Sequence, residues 1–107
     1  MRLETRQSLT DALGAAEEVV RIALPGWQED RILALAVERL LMIMGEALAR
    51  IRVSEEVVLE GVTDAHKIIG MRNVLIHGYD SVDVSRIQDA IERSLPKLIQ
   101  EIERQLE

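Results

Sequence analysis

With 107 residues, a net charge of −6 and no cysteine, the chain is sized for a single domain, 1–107, around one hydrophobic core, and it has neither disulfides nor a thiolate metal site. The acidic balance argues against a broad basic surface that grips nucleic acid by counterion release. Its aromatics are only Trp27 and Tyr79, too few for a base-stacking platform, so any contact with RNA has to be local.

Met1 to Leu13 is interspersed with Arg2, Glu4, Arg6 and Asp11, which argues against a secretory signal or a membrane anchor. From there, Leu9, Leu13, Ala16, Val20, Ala23 and Leu24 recur at three- and four-residue steps. They predict an amphipathic helix over roughly 5–24, ended by Pro25-Gly26. A second helix is expected from near Gln28. It is apolar nearly all round through Ile32, Leu33, Leu35, Val37, Leu40, Leu41, Ile43 and Leu48, the pattern of a central helix. Glu38, Arg39, Glu46 and Arg50 interrupt its apolar run, so it reads as a core helix and not a membrane span. Met42 and Met44 read as core fillers. The expected setting is the cytoplasm, with no membrane partner.

Val53-Ser54-Glu55-Glu56 predicts a break and a short extra helical turn. Thr63 or Asp64 offers an N-cap for a third helix that Gly78 should end. A loop over 79–83 then leads to a fourth helix marked by Ile87, Ala90, Ile91, Leu95, Leu98, Ile99 and Ile102, which Pro96 should kink or split. No strand-like alternation is present. The fold class expected is all-α, a four-helix up-and-down bundle.

Reactive side chains crowd into one stretch, His66 to Tyr79. At about 100° per residue, Ala65, Ile68, Ile69, Leu75 and Ile76 share one arc of the third helix, with Arg72 in its middle. A guanidinium cannot shed its charge on an apolar stripe, so it needs a carboxylate, a phosphate or a wet cleft. Glu46 on the second helix is the natural carboxylate if Arg72 forms a structural ion pair. Asn73 and His77, four apart, share a helix face beside Arg72. His77 falls in the last turn, where the helix dipole favours the imidazolium. Metal-free RNA cleavage needs a proton-transfer group at the 2′-hydroxyl or the leaving oxygen, together with a fixed cation on the phosphate. Histidine suits the first task and arginine the second. Because Arg72 and His77 diverge by about 140° around the helix, a two-fold dimer is needed to gather both around one phosphate. His66 reads as a surface residue, and His66 with His77 lack the further ligands that zinc requires. The reading uses no metal and no cofactor.

The run Arg72-Asn73-Val74-Leu75-Ile76-His77-Gly78-Tyr79 resembles the R-x4-H-x-Y signature of HepT-like toxins in the HEPN superfamily of ribonucleases. Ile69-Gly70-Met71, Gly45-Glu46-Ala47 and Leu95-Pro96-Lys97-Leu98 are similar to the same family, so the resemblance spans nearly the whole chain. One departure is that 53–62 carries no tryptophan, which family members often have shortly before the motif helix. The resemblance implies a HEPN-like homodimer whose paired Arg72 and His77 cleave RNA, with Asn73 as a polar helper. It also implies a toxin–antitoxin pairing with a minimal nucleotidyltransferase, MntA-like, that transfers AMP from ATP onto Tyr79. Read from the residues alone, Tyr79 is a loop aromatic packing over the helix end. Two other readings stay open: a non-catalytic helical adaptor that positions a nucleotidyltransferase or its nucleotide, and a structural bundle with a buried Arg72–Glu46 pair.

Overall fold

A computed structural model describes residues 1–77 and 83–107. Four long helices and one short one carry the fold, and the described residues contain no strand. Helix α1 is Leu3–Ile22, α2 is Arg31–Ser54, α3 is Ala65–His77, α4 is Val84–Asp89 and α5 is Leu95–Leu106. Helix α2 packs against both α1 and α3, and α5 lies on α1, so the expected all-α bundle is observed. Among the described residues no helix is long and apolar enough to cross a membrane.

Local chemistry sets the boundaries. Gly26 takes a positive φ of 95°, open to glycine at little cost, and turns the chain after α1 into a single 3-10 turn at Trp27–Glu29. The second helix starts at Arg31 and not near Gln28. The reason is Asp30, whose carboxylate accepts the Ile32 and Leu33 main-chain N–H groups at 3.0 and 3.1 Å as an N-cap. Trp27 is buried and its indole N–H donates to Gln88 Oε1 at 2.9 Å, tying the α1–α2 connection to α4. At the other end of α2, Glu55 accepts the Arg2 main-chain N–H at 2.9 Å and the Thr5 hydroxyl at 2.7 Å. Those two donors, with the Arg2 backbone bond foremost, hold its carboxyl below the ordinary 4.5. The short extra helical segment follows at Glu56–Gly61. Thr63 does not cap α3; its hydroxyl and N–H both donate to Glu101 of α5.

The core is aliphatic. Leu9, Leu41, Met44, Leu48, Ile51, Ile68, Ile69, Leu95, Leu98 and Ile102 are fully enclosed. One expectation fails here: α2 is not covered all round, because Ile32 is 79% and Leu35 52% exposed. Ile32 and Leu35 lie at the same angle around α2 as the exposed Arg39, Glu46 and Arg50, on its solvent-facing stripe. Val20 of α1 and Leu24 just beyond it are exposed as well.

Pro96 does not split the last helix. A π turn at Ala90–Ser94 joins α4 to α5, with the Leu95 N–H donating to the Ala90 carbonyl five residues back. That wider turn relieves the ring of Pro96, which would otherwise press on the carbonyl four residues before it.

Candidate functional site

Helix α3 buries Ala65, Ile68, Ile69, Met71 and Leu75, and Arg72, on the same side, is half-buried. What lets an arginine sit there is Gly45 on α2. A Cβ at position 45 would run into Arg72 Cβ, approach Arg72 Cγ to 3.0 Å and the Ile68 carbonyl oxygen to 3.1 Å. The two helices therefore meet with the Arg72 stem pressed on bare backbone, and the stem is packed while the head reaches outward.

Among the described residues the guanidinium is positioned but not neutralised. Its Nη1 donates to Asn73 Oδ1 at 2.6 Å, while Nε is buried without a hydrogen-bond partner. Among the described residues no carboxylate lies within 4.0 Å of it. Glu46, the carboxylate that a structural ion pair with Arg72 would use, stands 3.9 Å from Arg50 Nη1 instead and is 53% exposed. The residue four positions on along the same helix face is simply the nearer cation. An unpaired buried donor is costly, and Arg72 Nε is one.

Arg72 opens on a groove of about 800 Å³, lined also by Glu4, Gln7 and Ser8 of α1 and by Glu46, Ala49, Arg50, Val53 and Ser54 of α2. Ser8 is nearly covered, and its hydroxyl accepts from Arg50 Nε at 3.5 Å. His77, the last described residue of α3, is exposed and does not line this groove. Asn73 is exposed on the same side of the helix as His77, one turn back. Gly78 and Tyr79 lie outside the described residues. His66 is exposed near the start of α3 and lines a separate hollow with Glu56, Glu60 and Thr63. Among the described residues no three histidine or acidic side chains converge as metal ligands.

The family model for HepT-like ribonucleases matches residues 9–105. The chain belongs to the HepT-like ribonuclease family. No curated protein and no solved structure matches it. In this HepT-like chain, the arginine and histidine of the R-x4-H motif stand about 7.5 Å apart along the α3 axis and diverge around it. One chain's groove therefore holds Arg72 at its edge without His77. Sequence reasoning missed Gln7, Ser8 and Arg50 as groove residues. Arg50 was legible only as an interruption of the apolar run, and nothing in the pattern of α1 tells which polar residues face α2.

Proposed function

We propose that the protein is a metal-independent endoribonuclease toxin of a toxin–antitoxin pair, acting in the cytoplasm as a homodimer with a composite Arg72/His77 site. The observation that carries the reading is Arg72: half-buried, oriented by Asn73, without a carboxylate partner among the described residues, and facing an open groove. A guanidinium in that state suits the extra negative charge on a phosphate under attack. The family supports RNA as the substrate. The exposed apolar side chains Ile32 and Leu35 on α2 are consistent with self-association.

The chemistry follows from the side chains. His77 accepts the proton of a ribose 2′-hydroxyl as its oxygen attacks the adjacent phosphorus; the new P–O bond forms as the P–O5′ bond breaks. Water supplies the proton that the leaving 5′-oxygen takes up, so each site uses one His77, from the protomer opposite its Arg72. Arg72 holds the pentacoordinate phosphate and Asn73 keeps the guanidinium aimed. The products are a 2′,3′-cyclic phosphate and a 5′-hydroxyl. Purified protein is expected to cut RNA in EDTA with those ends and to leave a strand with 2′-deoxyribose at the scissile position uncut. Cutting of the deoxy strand contradicts this mechanism.

The proposal includes neutralisation by a minimal nucleotidyltransferase antitoxin that transfers AMP from ATP to Tyr79. A nucleotide on a phenol two residues beyond His77 adds bulk and negative charge where substrate phosphate would lie. Incubated with ATP and the protein encoded next door, the Tyr79 peptide is expected to gain mass in AMP units; an unchanged mass removes the modification and leaves occlusion. The second reading, a non-catalytic adaptor for that nucleotidyltransferase, is favoured by the net charge of −6 and by the absence of His77 from the Arg72 groove. It requires tight partner binding and no nuclease activity.

A further inference from the structure

Resting on the ribonuclease reading, we propose that the groove between α1 and α2 is an RNA subsite in which Arg50 binds the phosphate next to the scissile one. Arg72 is one wall of the groove, so a strand held on Arg72 leads directly into it. Residues 46, 49, 50, 53 and 54 form one face of α2, and 4, 7 and 8 form one face of α1. The groove therefore runs along the helix axes for about 12 Å. Its volume of about 800 Å³ is that of a site for a small organic ligand.

Its chemistry fits a nucleotide held by charge and hydrogen bonds, because among the described residues no aromatic side chain lines it. Arg50 is held in place without being tightly paired. Its guanidinium stands 3.5 Å from Ser8 Oγ, 3.6 Å from Asp11 and 3.9 Å from Glu46, and is 53% exposed. A phosphate can add the shorter charge-assisted bonds these contacts lack. The Gln7 amide and the Glu46 carboxylate supply a donor and acceptors for a base edge, and Ala49 with Val53 supplies an apolar wall. The two glutamates of the lining, Glu4 and Glu46, lower the groove's pull on polyanions in general. Binding there is then expected to depend on Arg50 in particular.

The test compares cleavage of a ribodinucleotide and a ribohexanucleotide by wild type, Arg50→Gln and, as a control, Arg104→Gln, whose side chain is exposed on α5 away from this groove. The expected result is that the wild-type preference for the hexanucleotide in kcat/KM falls about tenfold in Arg50→Gln, the size of one charged hydrogen bond. The loss should sit in KM, and the slope of log binding against log salt should shrink by about 0.7, one phosphate contact on a single strand. Arg104→Gln should keep the preference. An unchanged preference and slope in Arg50→Gln overturn the subsite while leaving the nuclease intact. So does an Arg50→Gln protein that sediments as a monomer where the wild type is a dimer, since the groove is then a contact between protomers. A wild type that cuts neither oligonucleotide overturns the ribonuclease reading and the subsite with it.

Discussion

His77→Ala should slow RNA cleavage by about 10²–10⁴-fold, the usual worth of a positioned proton-transfer group, while leaving the fold intact. The structural half of that expectation follows from exposure: His77 ends the described part of α3 with its side chain in solvent, outside the enclosed aliphatic core. Removing it opens no core cavity, and surface changes of this kind stay within about 0.5 kcal/mol. Circular dichroism and thermal melting check the fold, and a gel assay of RNA in EDTA checks the rate. An alanine variant that melts like the wild type and still cuts at the wild-type rate removes His77 from the chemistry.

Arg72→Gln is expected to cost about 10²–10³ in the same assay, as for loss of a charge-stabilising donor in a transition state. Glutamine keeps the Cβ and Cγ that lie against Gly45, so the α2–α3 contact survives and only the cation is lost. The effect on stability separates function from architecture. Had Arg72 been half of a buried pair with Glu46, its removal would strand a carboxylate and cost about 3–5 kcal/mol. With Glu46 exposed beside Arg50 and Arg72 Nε unpartnered, the expected change is below about 1 kcal/mol and could be a gain, since an unsatisfied buried donor is removed. A denaturant melt that shows a loss of several kcal/mol identifies Arg72 as structural.

Much of the fold is written in local periodicity. The apolar steps of α1, α3 and α5 and the punctuation by Pro25-Gly26 and 53–56 predict elements the structure contains, with ends shifted by a few residues. The start of α2 lies beyond Gln28 because Trp27–Glu29 forms a separate 3-10 turn and the Asp30 carboxylate caps the helix after it. The exposure of Ile32 and Leu35 goes against their residue type: they continue, as apolar side chains, the exposed stripe that Arg39, Glu46 and Arg50 mark along α2. Pro96 marks a disturbance, but a π turn upstream of it answers a steric problem in a way residue type does not specify.

The candidate site divides in the same manner. An arginine on the apolar arc of α3, with Asn73 and His77 beside it, is legible from spacing alone. Its missing partner is not: Arg50 claims Glu46 because the two are neighbours on one helix face, whereas Arg72 and Glu46 depend on how two helices dock. Gly45 shows the same limit. Its absent side chain has meaning only once Arg72 is seen lying against it. The groove joins three helices and is a tertiary fact throughout.

The most direct measurement of the composite site is complementation between the two dead variants. Co-expressed Arg72→Gln and His77→Ala chains form mixed dimers in which one intact arginine faces one intact histidine across the two-fold axis. With random pairing, about a quarter of wild-type sites are restored, and RNA cleavage should return to that level although each variant alone is inactive. A mixture that forms mixed dimers and stays as inactive as either parent contradicts a site shared between protomers.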